Sequence, residues 1–217
     1  MLQVKHLIKQ FNNLQLIHGD KSLDAVCGAG EIYNPKICLV FMNPTGRNVS
    51  SDKKWNGLKA PWIGTKNVWK MLFQLGFFDE KFFKEIDEKR PCDWNREFAD
   101  KVYLKVRDCS LYITNLSKAT QADARHLKDE VFREYLDLFK KEINIIKPEI
   151  IITFGNQVSS VLLGKNIKVS DYRKKFEIME IKGQIFKIFP VYYPVGQGMR
   201  NIAKAKEDIE WVVKNEV

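Results

Sequence analysis

Close cysteine pairs are missing. The chain has four cysteines, Cys27, Cys38, Cys92 and Cys109, and no two of them form a CxxC pair. A zinc or iron–sulfur site usually brings at least one such pair, so no metal and no cofactor are expected, and Cys38 reads as core. Long apolar runs are missing too. The longest, such as 37–42 and 150–152, fall far short of the roughly 20 residues that cross a bilayer, so no membrane partner is expected. The opening segment MLQVKHLIKQ reads as an amphipathic helix without the continuous apolar stretch of a secretory leader. The expected compartment is therefore the cytoplasm, with the nucleoid as the place of work in a prokaryote. There is no kinase-type phosphate loop. Gly28-Ala29-Gly30 precedes a strand instead of following one, which removes the dinucleotide fingerprint. No repeat, low-complexity tract or linker divides the 217 residues, so one domain over 1–217, acting as a monomer, is expected.

What the chain does have is positive charge: 36 Lys and Arg against 27 Asp and Glu, a net +9. Such an excess suits an anionic partner, nucleic acid first. A solvated lysine-rich surface has the same composition, and charge alone does not choose between them.

Four segments read as buried parallel strands: 37–41, 111–114, 150–154 and 185–191. They are short, β-branched or aromatic, and apolar on both faces, as strands covered by helices must be. Helical spacing appears over 67–75, 130–146, 156–163 and 201–213, with Gly76 and Gly164 as stops and Pro148 just beyond the second. Segment 77–106 reads as an insertion of helix and loop. Strands alternating with helices predict an α/β fold, a three-layer α/β/α sandwich around a central four-stranded parallel sheet.

In such folds, ligands bind beyond the carboxyl ends of the strands. The residues found there are Asn43-Pro44-Thr45-Gly46, Asn115-Leu116-Ser117-Lys118, Gly155-Asn156-Gln157 and Tyr193-Pro194-Val195-Gly196-Gln197-Gly198. All four groups offer a carboxamide, and none offers a histidine. A hydrolase built on paired carboxylates would look different.

From about Gly30 to Val213 this arrangement resembles the uracil-DNA glycosylase superfamily. Phe41-Met42-Asn43-Pro44 is similar to the Gly-x-Asn-Pro-Gly motif of the mismatch-specific uracil- and thymine-DNA glycosylases. Pro61-Trp62-Ile63-Gly64 resembles the Pro-Phe-Val-Gly segment of the thermostable branch. The run from Asn67 to Phe77 resembles the next helix of the mismatch-specific branch, and Ile113 to Lys118 the second strand with its base-reading asparagine. Tyr193-Pro194-Val195-Gly196 stands where the family has His-Pro-Ser or Asn-Pro-Ser-Gly. The chain departs from the family at three of these places. Phe41 replaces the motif glycine, Tyr193 the motif histidine, and Thr45 follows the proline where relatives carry Gly or Tyr. Cys92 and Cys109 do not match the iron–sulfur cysteines of the thermostable branch.

The resemblance implies roles. Excision builds positive charge on the sugar and negative charge on the departing base. The enzyme must hold the base outside the stack, donate hydrogen bonds to the anion and place a water. Asn43 would hold that water, stiffened by Pro44, although Asn-Pro is also a good turn initiator. Asn115 would read the base, its acceptor and donor matching N3–H and O4 of uracil and mismatching cytosine. A strand-end asparagine can equally cap a loop. Trp62 would stack on the base, whereas Trp69 reads as core. Phe41, Met42 and Thr45 complete the base pocket. Tyr193 would donate its phenol to O2 in catalysis, or simply pack before Pro194. Gly196, Gln197 and Gly198 would grip a phosphate at the start of a helix, and Gln197 or Met199 would fill the gap left by the flipped base. Lys66, Lys118, Arg200 and Lys204 would contact the DNA backbone, although each alone is as readily a solvated charge. His126 receives no role.

The expected function is thus a monofunctional glycosylase. It would act on DNA that contains uracil, or thymine or another deaminated base opposite guanine, in base-excision repair. Two alternatives stay open: a nucleic-acid-binding relative with weak or lost catalysis, to which Phe41 and Tyr193 point, and a small-molecule nucleosidase on the same sheet.

Overall fold

The computed structural model describes residues 2–124 and 127–217. In chain order the elements are α1 (Leu2–His18), β1 (Ala29–Gly30), β2 (Ile37–Phe41), α2 (Asn67–Gln74), α3 (Glu80–Asp87), α4 (Arg96–Asp108), β3 (Leu111–Asn115), α5 (Asp129–Ile146), β4 (Ile150–Phe154), α6 (Asn156–Leu163), β5 (Glu177–Ile181), β6 (Gln184–Val191) and α7 (Ile202–Glu216). The sheet runs in the order β1-β3-β2-β4-β6-β5. Its four inner strands are parallel, and β1 and β5 add antiparallel edges. The expected four-stranded parallel core is present, extended by two edge strands that the sequence reading did not include.

The two faces of the sheet sort by residue parity. Ile37, Leu39 and Phe41 point into a cluster with Val68, Trp69 and Leu72 of α2, Ala99, Val102 and Val106 of α4, and Ala205, Ile209 and Val212 of α7. Cys38 and Val40 point the other way, against Phe132, Phe139 and Ile143 of α5 and Val158, Val161 and Leu162 of α6. Helices on both faces are what makes the inner strands apolar on both sides. Outside that second layer, Leu7 and Phe11 of α1 pack on Tyr135 and Leu138 of α5. No helix among the described residues is long and apolar enough to cross a membrane.

The segment read as an insertion contains α3 and α4. Each starts at a side-chain cap: Asp79 accepts from the Phe82 amide at 2.8 Å and Asn95 from the Phe98 amide at 2.9 Å. Such caps satisfy amide groups that the first turn leaves free. The layer they build supports the loop from Ala60 to Thr65, because the buried Tyr103 hydroxyl of α4 donates to the Pro61 carbonyl at 2.6 Å.

Candidate active site at the strand ends

A cavity of about 190 Å³ opens at the carboxyl ends of β2, β3 and β6. Asn43, Thr45, Trp62, Asn115, Tyr193 and Gly196, all singled out from the sequence, line it. Wider depressions lie elsewhere; in the one around Tyr172, Glu177 accepts from Tyr172 at 2.8 Å and pairs with Lys165, just outside the lining, at 2.6 Å.

The loop after β2 and the loop after β3 are stitched together. Leu116 and Ser117 donate their amides to the carbonyls of Phe41 and Met42 at 2.8 and 3.1 Å. Farther on, Gln121 donates to Pro44 at 3.1 Å and Gly46 donates back to Gln121 at 2.8 Å. Asn43 lies inside this lattice. Its Nδ2 donates to the Pro44 carbonyl at 3.0 Å. A carbonyl oxygen only accepts, so this bond fixes the nitrogen end and leaves Oδ1 as the acceptor. An amide oxygen can position a water but is a poor base.

Asn115 is the last residue of β3 and pairs in register with Phe41. It is buried, and its Nδ2 has no hydrogen-bond partner. A buried donor left unmade costs about 1–3 kcal/mol. Beneath it, Lys118 Nζ donates to the Asn115 carbonyl and, at 2.6 Å, to Thr114 Oγ1. The same ammonium sits 2.7 Å from Glu142 Oε2, and Glu142 Oε1 accepts from Tyr112 at 2.7 Å and Thr114 at 3.0 Å. Lys118 was expected to touch the DNA backbone. It is fully buried instead, because Glu142 of α5 supplies a counter-charge inside the fold.

Trp62 enters the cavity from the Ala60–Thr65 loop. Asn48 holds this loop by donating to the Ala60 carbonyl at 2.8 Å, and Val49 by donating to Ile63 at 2.9 Å. Trp62 adopts φ +67, a left-handed conformation that a bulky residue reaches only at a cost of about 1–3 kcal/mol. Its carbonyl is fixed by the Trp69 indole at 3.1 Å and the Thr65 hydroxyl at 2.8 Å, whereas its own Nε1 is buried and unpartnered. Trp69 is core, as read from its helical spacing.

Phe41 does not line the cavity; it is the support below it. Its ring stacks on Phe154 at 4.3 Å and meets Trp62 and Tyr193 edge-on at 4.8 and 6.2 Å. Met42 was also expected to touch the base, but the strand alternation turns it to the opposite face, where it packs on the α5–α6 layer. Burial pushes the Tyr193 phenol well above its ordinary pKa, so it remains a neutral hydroxyl able to donate.

The Gly196–Asn201 segment forms a 3-10 helix that leads into α7. A Cβ on Gly198 would lie 2.0 Å from the Tyr193 carbonyl oxygen, so only glycine fits that crossing. Met199 and Arg200 are exposed, as is Lys204 on α7, whose ammonium stands over the Tyr192 ring at 5.4 Å. The Gln197 side chain and His126 lie outside the described residues. Lys66 is exposed but already engaged, donating to the Asp87 carbonyl at the end of α3.

Several lining residues escaped the sequence reading: Arg47, Asn48, Thr65, Asn67 and Ala124. Arg47 is two residues past Thr45, in a loop already marked, so a wider window after β2 would have included it. Among the described lining residues, Arg47 is the only charged one, and none is a carboxylate or imidazole. No group of His, Cys, Asp and Glu among the described residues could hold a metal ion. The site can therefore position water, donate hydrogen bonds and exclude solvent. Its described lining residues include no strong general base.

A search of curated proteins finds no match to this chain. The family model described as the uracil DNA glycosylase superfamily matches residues 27–213, a span that begins just before β1 and contains every cavity-lining residue named above. The chain belongs to the uracil-DNA glycosylase superfamily.

Proposed function

We propose that the protein is a monofunctional glycosylase that flips uracil out of DNA and hydrolyses its N-glycosidic bond. Thymine or another deaminated base opposite guanine would be a slower substrate. The carrying observation is the pairing across one cavity of Asn43, whose free end is an acceptor, with Asn115, whose amide donor is unsatisfied. In this reading Asn115 Nδ2 donates to O4 and its Oδ1 accepts from N3–H. The C1′–N1 bond breaks, and its electron pair leaves on the base. Water held by Asn43 adds to C1′, and the proton it sheds passes to solvent or to the departed anion. With no carboxylate among the described lining residues, rate acceleration rests on positioning and on stabilising the leaving anion. Leaving groups as poor as unprotonated purines would stay attached.

Incubation with an end-labelled duplex containing one uracil, followed by hot alkali, tests the reading. A cleaved strand supports it. An intact strand with enzyme in excess, together with retained duplex binding, would favour instead a binding protein that has lost catalysis. Phe41 in place of the motif glycine and Tyr193 in place of the motif histidine are the features behind that second reading.

A further inference from the structure

Among the described residues, five buried polar side-chain atoms have no hydrogen-bond partner, and two of them belong to residues lining the cavity at the strand ends: Asn115 Nδ2 and Trp62 Nε1. The first is accounted for by base reading. The second is not, since stacking uses the face of an indole and has no need of its N–H. Folded proteins rarely leave a buried donor unmade, and an exception asks for an explanation. Trp62 carries a second anomaly, its left-handed backbone, in a loop with many anchors. Those anchors fix the carbonyl of Trp62 and the backbone around it. The ring is steadied by Phe41 at 4.8 Å, edge to face. Every contact holds the indole in place, and none satisfies its nitrogen. Local strain and an unmet polar group at one residue are what a preorganised ligand contact looks like before the ligand arrives.

We propose that the Trp62 indole N–H is a hydrogen-bond donor to the substrate, received by a base carbonyl oxygen. This rests on the glycosylase reading and deepens it. Asn115 accounts for O4 and N3–H of uracil, which leaves O2 as the acceptor. As the glycosidic bond breaks, charge accumulates on N1 and spreads onto O2, so the bond to Trp62 tightens in the transition state. The indole then meets the base with its edge instead of stacking on it, and joins the neutral Tyr193 hydroxyl, which stands at the motif histidine, as a donor at O2. A base without a carbonyl next to the glycosidic nitrogen would find the indole nitrogen still unmet and be bound less well.

The test separates the N–H from the ring. Trp62→Phe keeps an aromatic surface and removes the donor. If that variant does not fold, 3-benzothienylalanine placed at position 62 keeps the shape of the indole with sulfur in place of N–H. Single-turnover excision is measured on duplexes carrying uracil or 5-fluorouracil, whose anion is the more stable leaving group. The expected result is a loss on the order of 100-fold with uracil, the range seen when one transition-state donor is removed. The loss with 5-fluorouracil should be clearly smaller, and affinity for abasic product DNA unchanged. Wild-type rates on both bases, or the same loss factor on both, would overturn the donor role while leaving the glycosylase reading standing. A wild-type enzyme that releases neither base would overturn both.

Discussion

Lys118 Nζ lies 2.7 Å from Glu142 Oε2, and neither side chain reaches solvent. The ammonium also grips the strand end that carries Asn115. Removing one partner of such a pair strands the other charge in the interior, which costs about 3–5 kcal/mol. Lys118→Met should therefore lower the urea midpoint sharply, and Lys118→Met with Glu142→Gln should recover a large part of the loss. Equal midpoints for the single and double variants would show that the two charges do not depend on each other.

Asn43→Ala should lower single-turnover excision about 100-fold or more while DNA affinity stays near wild type, because in the proposed reaction the side chain acts on the attacking water and not on the duplex. The check is the rate with enzyme in excess beside a binding titration. An unchanged rate removes Asn43 from the reaction.

In the proposed reaction, Asn115→Asp takes the donor away from O4 and, when ionised, sets a negative charge beside the departing anion. Uracil excision should be lost or the choice of base altered. Assay over a panel of damaged bases decides this, and wild-type uracil release would mean that Asn115 reads nothing.

Thr45 lines the cavity and is held by its bridge to Gln121. A small residue there leaves room for the C5 methyl of thymine, and a loose apolar wall discriminates by only about 10–200-fold. Slow release of thymine from G·T pairs is expected, with much faster release of uracil from G·U. Thr45→Tyr should suppress the thymine reaction more than the uracil reaction. No thymine release at enzyme excess, or equal losses on both bases, would contradict this.

Burial pushes the Cys27 thiol up to about 12 and raises Cys38 as well. The unfolded chain gives up these protons near the ordinary thiol value of about 8.5, while the folded chain keeps them. Their contribution to stability is therefore complete below that value and is lost as pH rises from there toward about 12. The urea midpoint should fall between pH values of about 8 and 10.5, and fall less in a Cys27→Ala, Cys38→Ala variant. Parallel falls would assign the effect to other groups.

The inner strands were legible because each is a short run of β-branched and aromatic residues with no polar face, and the parallel core follows from that. The edges were not. β1 is two residues long. β5 alternates, with Met179 and Ile181 buried while Ile178 is exposed, and joins β6 through Lys182 and Gly183, both at positive φ. The alternation and the turn are both present in the sequence, but a half-exposed edge strand lacks the all-apolar run that marks the inner ones. The cavity-lining asparagines were legible because ligand sites in this architecture follow strand ends. Lys118 was not, since its counter-ion is 24 positions away and nothing local tells a buried lysine from a solvated one. A motif does not tell the two faces of a strand apart: Met42 adjoins Asn43 in sequence, yet alternation along β2 puts it on the face opposite Phe41.

The hydrogen bonds between the 41–46 and 116–121 segments make one mechanical piece of two loops. Asn43 and Asn115 therefore cannot drift independently, and an insertion in one loop is transmitted to the other. Double variants spanning the two should show strongly non-additive kinetics. For the proposed glycosylase, rate and choice of base would then be a single inherited trait, difficult to tune one at a time.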